Sequence, residues 1–186
     1  MDQKKLIRKK YIRIRQKKYF EIKDKFFSPL KNLFKKFAKK NNLNISIYYP
    51  CSNEVNILKI LNIEYFKKFN FLLPIIEEKN SMNFYKWKKN DVLNLNKFGV
   101  PEPIKSKKIV PNVVLVPVLA FDKFKNRLGY GKGFYDRFLN NYTRKNKKII
   151  TVGVAFSFQK HHKLPINTND YKLDYIITER GIQWIF

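Results

Sequence analysis

Three of the chain's six glycines alternate around one lysine in Arg127-Leu128-Gly129-Tyr130-Gly131-Lys132-Gly133-Phe134-Tyr135-Asp136-Arg137. Glycine takes positive φ at no steric cost and has no Cβ to keep an anion away from backbone N–H groups. One mobile cation inside such a loop suits a phosphate in transfer. Phe134, Phe138 and Leu139 recur at helical spacing behind it, and the N-terminus of that helix would add unpaired N–H groups and partial positive charge. The spacing is neither the Walker Gly-x4-Gly-Lys-[Ser/Thr] nor the dinucleotide Gly-x-Gly-x-x-Gly. On pattern alone, phosphate binding and an ordinary flexible turn both stay open.

The elements that must position this loop follow from hydrophobic patterning. Val113-Val114-Leu115-Val116, closed by Pro117, reads as a strand buried on both faces, as in a parallel sheet. Further strands are expected at Ile45–Tyr49, Phe69–Pro74, Met82–Trp87, Ile149–Ala155, Tyr175–Thr178 and Ile182–Phe186. Residues 2–27 alternate bases with an apolar stripe and predict a helix, interrupted at Ser28-Pro29 and followed by a second one to about Lys40. Lys4 and Arg8 share one face of the first helix. Ser52-Asn53-Glu54 offers caps for a helix carrying Val55, Leu58, Leu61 and Tyr65, where Glu54 would complement the dipole. Pro101 and Pro103 exclude a regular helix across Phe98–Pro103. Strands alternating with helices predict one three-layer α/β domain over residues 1–186, with a mainly parallel sheet, helices on both faces, and the basic helices 2–40 packed on it. In such sheets the ligand crevice lies beyond the carboxyl ends of the strands, where the glycine loop and the Ser52–Glu54 turn would both emerge.

The net charge of +26 would ordinarily direct attention to nucleic acid or an anionic membrane surface. Only seven of the forty basic residues are arginine, however, and the lysines are spread along the whole chain. Arginine is the residue suited to bidentate reading of phosphate and guanine, so the lysine excess reads as solvated faces and no specific nucleic-acid partner is expected. Cys51 is alone, which excludes a disulfide framework within the chain and fits a reducing compartment. No stretch approaches the ~18 apolar residues of a membrane helix. The expectation is a soluble, cytoplasmic monomer without a membrane partner. His161 and His162 are adjacent, share no face, and read as surface residues.

The string Leu115-Val116-Pro117-Val118-Leu119-Ala120-Phe121-Asp122, four residues, then Arg127-Leu128-Gly129-x-Gly131-x-Gly133-Phe134-Tyr135-Asp136-Arg137 resembles the signature of the 5-formyltetrahydrofolate cyclo-ligases, also called methenyltetrahydrofolate synthetases. The resemblance implies ATP-dependent cyclisation of 5-formyltetrahydrofolate to 5,10-methenyltetrahydrofolate, with Mg²⁺ on the nucleotide. It places Lys4, Arg8, Arg127, Leu128, Gly129, Gly131, Lys132, Gly133, Phe134 and Tyr135 on ATP, with Lys132 and Arg127 as the catalytic cations. It places Tyr49, Glu54, Tyr130 and the loop residues Gly131, Lys132, Gly133 and Phe134 on the reduced folate, and Asp136 and Asp170 on the metal. The chain departs from the family after Glu54, at Asn56 and Ile57, where the family has an acidic or polar residue and a threonine. Two other readings remain: a non-catalytic basic protein that binds RNA or a membrane surface through residues 1–40, and a phosphate-binding isomerase or transferase of similar architecture.

Overall fold

The strand Val113–Pro117 lies mid-sheet with a parallel neighbour on each side, which explains a run without one polar side chain. The computed structural model describes residues 2–37, 43–78, 81–143 and 148–183. Within them the strands are β1 (Asn44–Ser46), β2 (Asn70–Ile76), β3 (Met82–Lys86), β4 (Leu93–Leu95), β5 (Pro101–Pro103), β6 (Val113–Pro117), β7 (Ala120–Phe121), β8 (Arg127–Leu128), β9 (Ile150–Val154), β10 (Tyr175–Thr178) and β11 (Gly181–Gln183). Seven form one sheet in the order β11-β10-β9-β6-β1-β2-β3. The inner strands are parallel, while the edge strands β3 and β11 are antiparallel to their neighbours.

Alternate residues of the central strands face opposite layers. Val113 and Leu115 join Phe27, Phe34 and Phe66 in a core under α2 (Ser28–Phe37), and the contact between Phe34 and Phe66 is edge-on at 5.8 Å. Val114 and Val116 meet Phe84, Phe138 and Leu139 under α3 (Phe134–Thr143). Each fully buried aromatic contributes about 1.5–3 kcal/mol through removal from water. The expected α/β class with helices on both faces holds. The third helix, α1 (Gln3–Lys18), sits instead against the β7–β8 hairpin through Ile7, Tyr11, Leu119, Ala120 and Leu128.

Several local expectations change. The first helix stops at Lys18 because Tyr19 and Phe20 leave it to pack against Phe156. A 3₁₀ turn, Asp24–Phe27, runs directly into α2, so Ser28 is itself helical rather than a cap. Residues 38–40 of the second expected helix and 184–186 of the last strand lie outside the described residues. No α-helix follows Glu54: the segment forms 3₁₀ turns, Ile57–Asn62 and Glu64–Phe66, because Val55, Ile57 and Ile60 all turn into the core. Phe98–Pro103 is the tip and return strand of the β4–β5 hairpin. Prolines are admitted there because a two-stranded ribbon leaves N–H positions outside the ladder. His161 is not a plain surface residue; its ring meets Tyr11 edge-on at 5.7 Å.

From β1 the chain builds outward through β2 and β3, then crosses to β6, β9 and β10 on the other side. The direction of winding therefore reverses beside β1, and a crevice opens past the carboxyl ends of β1 and β6.

Candidate active site

The crevice is a cleft of about 980 Å³ lined by the glycine loop, the turn after β1, the β4–β5 hairpin and the first residues of α1. Lys4, Arg8, Tyr49, Glu54, Arg127, Leu128, Gly129, Tyr130, Gly131, Lys132, Gly133, Phe134, Tyr135, Asp136 and Asp170 all line it. The candidate residues are thus brought together in one place from four distant parts of the chain.

The glycine loop owes its path to two positive backbone angles, φ +96° at Gly131 and +67° at Gly133; Gly129 needs none. The Arg8 guanidinium lies against Gly131, where an added Cβ would come within 3.1 Å of its Cζ, and its Nε donates to the Gly129 carbonyl at 3.0 Å. Arg137 crowds Gly133 in the same way, at 2.8 Å from an added Cβ. Arg127, whose side chain is almost fully buried, donates through Nη2 to Asp136 Oδ1 at 2.8 Å. Arg15, from the far end of α1, donates to the Tyr130 hydroxyl. Four of the chain's seven arginines therefore surround one short loop. Lys132 is exposed at the loop's tip, with its ammonium 5.6 Å from the centre of the Phe98 ring on the hairpin.

Asp136 stands in the first turn of α3, where a carboxylate meets the positive end of the dipole. Its Oδ1 also accepts from the Tyr171 N–H at 3.0 Å, which brings Asp170 alongside. Asp170 pairs with Lys4 and accepts from Asn167 N–H at 2.7 Å. Two carboxylates beside the glycine loop fit Mg²⁺, which takes one or two protein carboxylates and completes its octahedron with other oxygens and water. The described residues contain no cluster of three or more metal-ligating side chains.

On the opposite wall, Ser52 and Asn53 are consecutive left-handed residues, φ 47° and 61°, in a tight turn closed by Glu54 N–H to Cys51 carbonyl at 2.9 Å. The Glu54 carboxylate reaches back to Cys51 N–H at 2.9 Å. That geometry replaces the expected helix cap and leaves Glu54 only 7 % exposed. Burial raises its pKa, opposed by the Cys51 N–H, the Arg15 charge and a bond with Tyr130. The Tyr130 hydroxyl is pushed up to about 12, first by burial and then by the Glu54 charge. Neither Asn56 nor Ile57 lines the cleft: Asn56 bonds Glu21 at 3.2 Å and Ile57 is fully buried in the core.

Three contributors escaped sequence reasoning. Phe98 belongs to a segment that looked like a connection. Glu102 accepts from Ile76 N–H at 2.8 Å and from Asn96 at 2.7 Å, pinning the hairpin over the cleft. Arg15 lies eleven residues after Lys4, just over three helical turns, so extending the Lys4–Arg8 face by two turns would have found it.

Residues 1–179 match the family model described as the 5-formyltetrahydrofolate cyclo-ligase family. The chain belongs to this family. Among its relatives, the 5-formyltetrahydrofolate cyclo-ligase of Haemophilus influenzae is 31 % identical over 137 residues, covering 70 % of this chain and 72 % of the relative. That of Mycoplasma genitalium is 32 % identical over 135 residues, covering 72 % and 71 %. The solved structure of Aquifex aeolicus 5,10-methenyltetrahydrofolate synthetase superposes with a TM-score of 0.75 at 28 % identity, over 98 % of this chain and 92 % of that one. Membership of the cyclo-ligase family sets aside the non-catalytic reading of residues 1–40.

Proposed function

We infer that this cyclo-ligase family member converts 5-formyltetrahydrofolate to 5,10-methenyltetrahydrofolate, with ATP as co-substrate and ADP and phosphate as products. The observation that carries the residue assignments is the convergence of Arg8, Arg127 and Lys132 on a glycine loop that opens into the same cleft as Glu54 and Tyr49.

A formamide is a weak electrophile and its oxygen a poor leaving group. Transfer of the γ-phosphoryl group to the formyl oxygen makes an iminium phosphate. Attack by N10 then forms the second C–N bond, N10 loses its proton to water, and the C–O bond breaks with phosphate as leaving group. No protein nucleophile is required, so the protein must align two substrates and neutralise phosphate charge; alignment is worth about 7–11 kcal/mol. Lys132 and Arg127 are assigned to the transferring phosphate, with the N–H groups of the Gly129–Gly133 segment. Lys4 and Arg8, with Leu128, Phe134 and Tyr135, are assigned to the nucleotide. Tyr49, Glu54 and Tyr130 are assigned to the folate. Asp136 and Asp170 would hold Mg²⁺, which supplies charge neutralisation between the phosphates; their present partners, Arg127 and Lys4, would then share them with the ion.

The assigned partners are the two small substrates, bound by a cytoplasmic monomer with no nucleic-acid or membrane partner. No helix among the described residues is long and apolar enough to cross a membrane. The deciding experiment follows methenyltetrahydrofolate spectrophotometrically from 5-formyltetrahydrofolate. Product should form with ATP and Mg²⁺ together and fail without ATP. Product formation independent of ATP, or none under any condition, would refute the reading. A Mg²⁺ titration of Asp136→Asn and Asp170→Asn should be displaced to higher Mg²⁺; wild-type curves in both would leave the ion held by nucleotide and water.

A further inference from the structure

Arg15 is 1 % exposed, and no carboxylate among the described residues forms an ion pair with it. Its Nε and Nη1 have no hydrogen-bond partner. Its Nη2 donates to the Tyr130 hydroxyl, and the guanidinium carbon lies 5.3 Å from the centre of that ring. The charge of Glu54, which is 7 % exposed and accepts from Cys51 N–H, acts on the same hydroxyl. A guanidinium buried without a carboxylate beside it costs free energy that a methionine or leucine of similar size would not. Packing of α1 therefore gives no reason for arginine at this position. The helix already commits Lys4 and Arg8 to the rim of the glycine loop. Arg15, two turns further on, lies behind the lining and reaches the hydroxyl of Tyr130, which is part of it.

We propose that Arg15 is a positioning residue for the folate half of the site, its charge set opposite Glu54 across the Tyr130 hydroxyl so that carboxylate and phenol are held ready for the reduced pterin. This rests on the cyclo-ligase reading. Glu54 is faced by Tyr48 and Cys51 from the strand and turn before it, by Tyr130 from the glycine loop and by Tyr135 from α3. Burial raises the pKa of each of these four hydroxyl and thiol groups, with Glu54 adding to the effect, so they stay neutral near pH 7. Arg15 is thus the cation acting on the Glu54 carboxylate. The sign follows. Burial raises the Glu54 pKa and Arg15 opposes that rise, so removing the guanidinium raises it further. A folate contact that needs the carboxylate is lost as pH falls through that pKa. Without Arg15 it is lost at higher pH.

The test is steady-state kinetics of wild type, Arg15→Met, Arg15→Lys and Glu54→Gln across the acid and neutral range, with KM determined separately for each substrate. Arg15→Met should move the acid limb of kcat/KM for the folate upward by about one pH unit, a loss of about tenfold below the limb, with KM for ATP unchanged. Arg15→Lys keeps the charge and should place the limb between the two. In a Glu54→Gln background the limb should vanish, and Arg15→Met should then add no pH dependence. An unmoved limb, or equal changes in KM for both substrates, would overturn the assignment and leave Arg15 a packing residue. If Arg15→Met fails to fold, Arg15→Gln takes its place: a limb coinciding with that of wild type overturns the proposal. A wild type that forms no methenyltetrahydrofolate would remove the cyclo-ligase reading and this assignment together, whereas an active wild type with an unmoved limb in the variants removes this one alone.

Discussion

Replacing Gly131 with alanine separates the two demands placed on the glycine loop. At φ +96° an L residue is strained, and its methyl would sit 3.1 Å from Arg8 Cζ and 3.3 Å from Nε and Nη2. Gly181, at φ +103° where β11 begins, has nothing within 4 Å of an added Cβ. Gly181→Ala therefore carries the backbone strain without the collision. That strain costs about 1–2 kcal/mol in either variant. For a chain of this size it lowers Tm by about 2–8 °C. In Gly131→Ala alone, Arg8 must also give way, and its charged bond to the Gly129 carbonyl is worth about 1.5–3 kcal/mol. Expressed in nucleotide binding, that is a rise of about 10–100-fold in KM for ATP. Calorimetric melting together with ATP saturation curves for both variants is the assay. Equal KM values for ATP in the two variants would refute the argument that Arg8 is held in place by the absence of a Cβ. So would a Gly181→Ala protein with damaged ATP binding.

Lys132→Ala should fold normally, since the side chain is exposed, and lose about 10²–10³ in turnover; wild-type turnover would sink its role. Phe66→Ala, in the core under α2, should lower unfolding free energy by about 3–5 kcal/mol in a denaturant titration. Glu77 governs part of the acid stability: burial alone would raise its pKa, but bonds from Lys108, Tyr85, Asn83 and Lys105 outweigh burial and bring it to about 2. Its contribution is therefore fully present above the ordinary glutamate value and is lost as pH falls from there towards about 2. Glu77→Gln should flatten the melting temperature across that window, and a curve parallel to wild type would count against the cluster.

The sheet was legible because buried parallel strands must be apolar throughout, and Val113–Pro117 left no other assignment. The sharp turns of the glycine loop were legible because few residues besides glycine tolerate such angles, although Gly129 turned out not to need one. Lys4 and Arg8 could be placed on one face by helical spacing alone. Glu54 could not be placed. Its acidic character fitted a helix cap, but Ser52 and Asn53 adopt left-handed conformations that serine gives no sign of, and the residues after it spend their apolar side chains on the core. The β4–β5 hairpin was hidden by its prolines, which argue against strands in general and not against a short ribbon at the edge. Arg15 shares the Lys4–Arg8 face two turns further on, but in a stretch so rich in bases the spacing does not say which cation is buried.

The crowding of Arg8, Arg15, Arg127 and Arg137 around one loop bears on how this sequence could have drifted. Thirty-three of its forty basic residues are lysine, and nearly everywhere the two are interchangeable as carriers of charge. Lysine at those four positions would leave the net charge at +26 and the helices intact. It would remove the planar, multiply donating group that lies flat against Gly131, reaches Tyr130 and holds Asp136. What those four positions hold is a shape as well as a charge, and four of the seven arginines of a lysine-rich sequence trace the outline of its site.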